Sequence, residues 1–314
     1  MRKISYVIPV FNGAAALEPL CERLIPVAEK LGAWEVIFVD DGSRDASTEV
    51  LYRLAQKHPE IVVVQLSRNF GQHNATLAGL AHIGGDVGVT LDQDLQNPPE
   101  EIPRLLARLD EGVDVVYGLA EHRAHNVFRN LSSDFSKWIS KKILSTALKG
   151  NFSSFRAIRK WVVDEIVRYD SHYLYIDGLI SWTTSNVAGV TVRNDRPEYG
   201  SQYSFFRLVN HGLNLLVNFS IRPLQIASLV GAGSAVFGLV AAVFIIVDKI
   251  LYDVPVQGWT SLMVAVLVIG GIQIAFLGLI GEYVGRILMN SNRSPKYVVK
   301  HVQRSTTRRA AKRR

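Results

Sequence analysis

Four aspartates stand where strand-like runs end. Asp40 and Asp41 follow "EVIFV", and Asp92 and Asp94 follow "VGVTL". Where parallel strands alternate with helices, ligands gather at the carboxyl ends of the strands, so both pairs are expected at a ligand-facing edge. Asp92 and Asp94 are two residues apart, and in an extended chain they point to one side. Two carboxylates on one side offer oxygen ligands to a hard divalent cation and leave positions free for diphosphate oxygens. Asp40-Asp41-Gly42-Ser43 forms an acidic turn able to accept hydrogen bonds from a base or a ribose. A lone pair of this kind reads first as a solvated turn; two pairs at matching strand ends read as a site.

The elements that must position these acids are visible over the first two hundred residues. Short β-branched runs occupy 4–10, 35–39, 62–66, 87–91 and 113–117. Between the first two, Leu17, Leu20, Cys21, Leu24, Val27 and Leu31 recur at helical spacing. Ser43 and Asp45 are placed to cap the next helix. Pro98 and Pro99 precede another, with Ile102, Leu105, Leu106 and Leu109 on its apolar face. Alternating strand and helix implies an α/β fold, a mostly parallel sheet covered on both faces.

The rest of the chain has a different character. Residues 224–247 carry no charge, and 24 residues of helix would span about 36 Å, enough for a hydrocarbon core of about 30 Å. A second uncharged run covers 259–280. Two buried core helices are the alternative reading; uncharged runs of this length favour two transmembrane helices. Small residues recur four apart, as in Gly231 with Ala235, Ser234 with Gly238 and Gly281 with Gly285, which permits close helix packing within the pair or in a homo-oligomer. Ahead of the first run, Arg207, Asn210, His211, Asn214 and Asn218 make one polar stripe on an otherwise apolar stretch. This reads as an amphipathic helix lying in the membrane interface.

Charge is localised as well. Of 35 Lys and Arg, ten lie from Arg286 onward with no acid among them, leaving 25 against 28 Asp and Glu and a net of −3 for the body. The overall charge of +7 is therefore a property of the tail. A basic segment just after a membrane helix fits the positive-inside rule and attraction to anionic lipid. Both termini are then cytoplasmic, and nucleic acid is not an expected partner. The mean hydropathy of +0.14 argues against disorder. One cysteine, Cys21, excludes an internal disulfide framework and a multi-cysteine zinc site. "MRKISYVIPVF" has too short an apolar run, broken by Pro9, for a signal peptide. These readings divide the chain into a cytoplasmic catalytic domain (1–200), an interfacial helix (201–222), a transmembrane pair (223–285) and a basic cytoplasmic tail (286–314).

"VIPVFN", "VDDGSRD", "SRNFGQHNATLAGL" and "GDVGVTLDQDLQNPPEEIPRL" together resemble the family 2 inverting glycosyltransferases. More narrowly, the chain resembles the polyprenyl-phosphate glycosyltransferases, a group that includes dolichol-phosphate mannose synthases, bactoprenol glucosyltransferases and the undecaprenyl-phosphate formamido-arabinose transferase. The resemblance runs from about residue 4 to 300 and includes both apolar runs and "GLIGEYVGRI". It implies a GT-A catalytic domain. It also implies a nucleotide site at Pro9, Asn12, Asp40 and Asp41, and Mg2+ or Mn2+ on Asp92, Asp94 and Gln96. "FRNLSS" and "RPEYGSQYSF" imply phosphate contacts at Arg129 and Ser133, with Arg123 upstream, and at Arg196, Ser201 and Tyr203. Asp94, Arg129 and Arg196 carry the catalytic roles in this reading. Three positions depart from the family. Gln202 stands in place of a Lys, Gly13 in place of a Glu, and "GNFSSFRAIRK" lacks the Asp that relatives carry as a proposed base.

The resemblance implies transfer of one sugar from a nucleotide-sugar, UDP-linked by family frequency, to a polyprenyl phosphate. The setting is the cytoplasmic face of the inner membrane, for a cell-envelope glycan or lipid. The acceptor nucleophile is a phosphate oxygen already anionic at neutral pH, so little proton removal is required. Two alternatives stand beside it. A processive polysaccharide synthase would carry a Gln-x-x-Arg-Trp motif and more membrane helices, which the sequence lacks. A non-catalytic membrane scaffold with a decayed transferase domain is supported only by the three departures.

Overall fold

The computed structural model describes residues 2–120, 153–169, 175–193, 195, scattered positions over 224–251, and 258–291 and 295–304. The chain divides into two compact units, Met1–Leu208 with Arg293–Arg314, and Val209–Asn292.

The first unit is built on one sheet. Its strands are β1 (Ile4–Val10), β2 (Trp34–Asp40), β3 (Ile61–Leu66), β4 (Val87–Thr90), β5 (Val115–Ala120), β6 (Arg156–Arg159), β7 (Val187–Val192) and β8 (Val299–Gln303). They lie in the order β7-β5-β6-β4-β1-β2-β3-β8. The expected parallel core is present: β1 pairs in parallel with both β2 and β4, and β2 with β3. The sheet is more mixed than expected, because β6 runs antiparallel to β4 and β5, and β8 antiparallel to β3.

Helices cover both faces. They are α1 (Ala14–Leu31), α2 (Ser47–Lys57), α3 (Gln72–Leu80), α4 (Ile102–Asp110), α5 (Lys160–Arg168) and α6 (Ile176–Thr183). Alternate residues of each strand feed two cores. Ile4, Tyr6, Ile8, Val36 and Phe38 join Leu17, Leu20, Leu24 and Leu51 on one face. Val7, Ile37 and Val39 join Leu77, Leu80, Val163 and Ile180 on the other. Strands buried on both faces read as continuous apolar runs, which is why these were legible in sequence. The α4 face is the expected one, with Ile102, Leu105, Leu106 and Leu109 all buried. α1 contains Pro19 and Pro26, both on its exposed side, where water can satisfy the carbonyls left without a donor.

The expected cap of α2 is rearranged. Ala46 occupies the N-cap. Asp45 instead accepts the Ser47 backbone N–H at 3.0 Å. The Ser43 hydroxyl makes no cap bond to the helix and accepts the Asn12 N–H at 3.1 Å.

Part of the basic tail belongs to the sheet. Val299–Gln303 adds β8 to the β3 edge, the Ser67 N–H donates to the Val298 carbonyl at 2.9 Å, and Tyr297 packs on the core. A Val-Lys-His-Val-Gln strand, with its two valines three apart inside a basic segment, has little local signal; its pairing with β3 is non-local.

In the second unit the described positions between 224 and 251 are helical, and α7 (Trp259–Ser291) is one 33-residue helix. Over the described residues, no helix forms a run long and apolar enough to cross a membrane. The expected interfacial helix at 201–222 lies outside the described residues.

Candidate functional site

A cavity of about 440 Å³ opens at the carboxyl ends of the central strands. Pro9, Val10 and Phe11 line it from the end of β1, Asp41 from the end of β2, and Asp92, Gln93, Asp94 and Gln96 from the turn after β4. β1 has β2 on one side and β4 on the other, so this is where the strand order reverses. The two chain segments that follow β1 and β4 leave in different directions there and open a crevice. The volume suits a small-molecule or cofactor ligand.

The two members of the first acidic pair divide their work by strand alternation. Asp40 continues the face of Val36 and Phe38 toward α2. One of its oxygens accepts the Ser43 N–H at 2.9 Å and the other the Thr48 hydroxyl at 2.5 Å. It closes the turn and does not line the cavity. Asp41 continues the face of Ile37 and Val39 toward α3, and accepts the Phe70 and Gly71 N–H groups at 2.7 and 2.9 Å. Burial pushes the Asp41 carboxyl above the ordinary carboxylate range, against the pull of those two donors. Gly42 follows with φ +69°, and a side chain there would meet the Arg68 backbone at 2.6 Å. Only glycine lets this turn and the 68–71 loop approach so closely.

Asn12, an exposed residue, does not line the cavity either. Its side-chain oxygen accepts the Arg44 N–H at 2.8 Å, which ties the loop after β1 to the acidic turn. Its φ of +48° is left-handed, a conformation asparagine tolerates better than most residues.

The second pair faces the cavity. Asp92 accepts the Gln72 side-chain amide at 2.6 Å on one oxygen and the Ser154 hydroxyl on the other. Burial raises its carboxyl above the ordinary range; Ser154 opposes that, the nearby Asp94 charge adds to it, and Arg156 and Gln72 counter it. Asp94 accepts the Gln96 N–H at 3.1 Å, and its other oxygen has no partner among the described residues. Leu95, between them, has φ +59°. Such strain in a branched residue is held by surrounding structure and clusters at ligand sites. The Gln96 carbonyl accepts the Asp195 N–H at 3.0 Å, and Asp195 is held by Arg23 and Arg193. The chain entering "RPEYGSQYSF" is thereby fastened to the turn that carries Asp94.

These donors fit a hard cation. Two carboxylates and a glutamine oxygen, with no imidazole or thiolate, suit Mg2+ or Mn2+ better than Zn2+. Among the described residues no group of three or more His, Cys, Asp or Glu converges. The pair would therefore supply only part of a coordination sphere, leaving the remainder to water and donor oxygens.

Behind this wall lies a buried charge cluster that sequence reading missed. Arg156, on β6, pairs with Asp177 at the start of α6, with side chains 3% and 5% exposed. Tyr117 and Tyr175 flank the Asp177 carboxylate. Asn69, Gln72 and Gln93 were also not singled out in sequence, although all three line the cavity. Arg123, Arg129, Ser133, Arg196, Ser201, Gln202 and Tyr203 lie outside the described residues.

Comparison with known proteins agrees with this geometry. Residues 5–167 match glycosyl transferase family 2, and residues 222–287 match the GtrB C-terminal hairpin. Undecaprenyl-phosphate 4-deoxy-4-formamido-L-arabinose transferases of Salmonella paratyphi B and Salmonella enteritidis PT4 are 35% identical over 307 residues, covering 96% of this chain and 94% of theirs. Among solved structures, glucosyl-3-phosphoglycerate synthase from Mycobacterium tuberculosis, in complex with Mn2+, UDP-glucose and phosphoglyceric acid, superposes with a TM-score of 0.50. It is 19% identical over 69% of this chain and 78% of that one, a likeness of fold.

Proposed function

The chain belongs to glycosyl transferase family 2, and from that premise we propose that it moves one sugar from a UDP-sugar to undecaprenyl phosphate, with inversion. The observation that carries the reading is the cavity at the strand reversal, where Asp41 and the Asp92–Asp94 pair converge. The full-length similarity to undecaprenyl-phosphate sugar transferases supports the acceptor.

Each group has a role in the chemistry. Pro9 and Asp41 form the nucleotide side of the cavity, and Asn12 and Asp40 fix the loops that carry them. Asp92 and Asp94, with Gln96, would hold Mg2+ or Mn2+, which supplies Lewis-acid stabilisation of the diphosphate leaving group. Arg129, Arg196 and Arg123, with Ser133, Ser201 and Tyr203, are proposed around the phosphates, where planar cations suit the oxygens. An oxygen of the acceptor phosphate attacks the anomeric carbon from the face opposite the diphosphate. The new carbon–oxygen bond forms as the bond to the diphosphate breaks, and UDP leaves with that electron pair. The nucleophile enters as an anion, so the lack of an acid in 153–160 removes nothing the step requires. Two anions must approach each other, which explains arginines and a cation together.

A lipid acceptor requires a membrane-bound enzyme. The match of 222–287 to the GtrB C-terminal hairpin, with the uncharged runs at 224–247 and 259–280, supports two spans. Leu262, Val266, Ile269, Ile274, Leu277 and Ile280 are each 47% or more exposed along one broad face of α7. An exposed apolar face of that length suits lipid or a partner helix rather than water. The inner membrane, with both termini cytoplasmic, is the matching location. Among the described residues nothing lies within 4 Å of a side chain added at Gly281 or Gly285, which suits a small-residue face for a second copy.

The test is a donor panel. Membranes containing the protein should transfer labelled sugar from one of several nucleotide-sugars to undecaprenyl phosphate, and EDTA should stop it. Absence of transfer from every donor would favour a non-catalytic scaffold.

A further inference from the structure

The β1–β4 ladder ends early. Its last register pair is Val7 with Thr90, followed by the Leu91 N–H donating to the Val7 carbonyl at 3.2 Å. Beyond that point the two segments diverge around the cavity. Among the described residues, one side chain bridges them: the Gln93 oxygen accepts the Phe11 N–H at 3.1 Å, and the Gln93 amide donates to the Phe11 carbonyl at 3.1 Å. The amide thus satisfies both backbone groups of Phe11, as a paired strand would.

The site is shaped for this bridge. A Cβ added at Gly13 would lie 2.4 Å from the Gln93 oxygen, so a side chain at 13 and the Gln93 amide compete for one space. On its far side the same loop is tied to the acidic turn. The N–H groups of Asn12, Gly13 and Ala14 donate to Ser43, Ser47 and Asp45 at 3.1, 3.0 and 3.1 Å. The loop and the turn bearing Asp41 therefore form one tied unit, and Gln93 joins that unit to the turn bearing Asp92 and Asp94.

We propose that Gln93 is a positioning residue that couples the cation site to the nucleotide side of the cavity. A cation on Asp92 and Asp94 fixes the backbone on either side of Gln93, and the two hydrogen bonds carry that placement to Phe11 and its loop. Nucleotide binding and cation binding then favour each other reciprocally. The inference rests on the donor reading above.

The test uses the purified full chain and measures UDP affinity with and without Mn2+. Gln93→Met keeps the volume and removes both hydrogen bonds; the gain in UDP affinity brought by Mn2+ should fall about tenfold, the effect of two ordinary hydrogen bonds. Gly13→Ala should lower the gain by a similar factor, and add little more in a Gln93→Ala background. An unchanged Mn2+ dependence in Gln93→Met, with wild type binding normally, would overturn the coupling alone. Equal losses from Gly13→Ala in both backgrounds would also overturn it. Wild type that binds no UDP in Mn2+ would contradict the donor reading itself.

Discussion

The Ser154 hydroxyl donates to the Asp92 carboxylate across 62 residues of sequence. The Ser154 carbonyl is held in turn by the Thr90 hydroxyl at 2.6 Å. Ser154 lies in the segment 150–160, where the resemblance to the family implies an acid. Here that segment orients a carboxylate of the cavity, and the buried Arg156 stands two residues further on.

Removing this donor should act on the cation first. Ser154→Ala should raise the Mn2+ concentration needed for half-maximal transfer by about tenfold, the scale of losing an outer hydrogen-bond partner of a metal ligand. Ser154→Thr, which keeps the hydroxyl, should restore it. Titration of activity against Mn2+ distinguishes the two.

The Arg156–Asp177 pair should matter for stability. Asp177→Ala leaves a guanidinium buried without its counter-charge, which costs about 3–5 kcal/mol. Chemical denaturation of the purified protein should show that loss. Arg156→Met with Asp177→Leu should recover much of it, because both charges leave together.

Asp92 sets a pH dependence. Burial raises its carboxyl, Asp94 adds to the rise, and Ser154, Arg156 and Gln72 oppose it. Charging it therefore costs stability; the cost is absent below the ordinary carboxylate range, grows as pH rises from that range to the raised value, and is constant above it. In the absence of cation, Asp92→Asn should melt higher than wild type near neutral pH, by about 2–4 °C for each 1 kcal/mol relieved. The difference should vanish near pH 4, about the ordinary carboxylate pKa. Because a cation and a proton compete for the same carboxylate, Mn2+ affinity of wild type should weaken as pH falls. Thermal melts across pH, with and without Mn2+, check both signs.

Position 202 carries a neutral side chain where the resemblance to the family implies a cation. Gln202→Lys should lower the KM for undecaprenyl phosphate and leave the KM for the donor unchanged. An unchanged acceptor KM would remove position 202 from the lipid phosphate.

Strands β1 to β5 were legible because burial on two faces demands unbroken apolar runs, and the ligand-facing acids were legible because they end such runs. β6 was not, since Arg-Ala-Ile-Arg is short and bounded by arginines, and it exists by pairing with β4 and β5. β8 was read as tail for the same reason. Asp40 and Asp41 looked alike in sequence, but adjacent residues face opposite sides, and only Asp41 reaches the cavity wall. Gln72, Gln93 and Ser154 acquire their roles from partners 20, 82 and 62 residues away, which no local pattern records.

The central claim is transfer onto a lipid phosphate, directed by the Asp92–Asp94 pair. The direct measurement compares two acceptors, undecaprenyl phosphate and undecaprenol, with purified protein, Mn2+ and the labelled UDP-sugar selected by the donor panel. The account predicts lipid-extractable label with the phosphate alone, an inverted anomeric centre, and none with Asp94→Ala at undiminished melting temperature. Label on undecaprenol, a retained anomeric configuration, or full transfer by Asp94→Ala would contradict it.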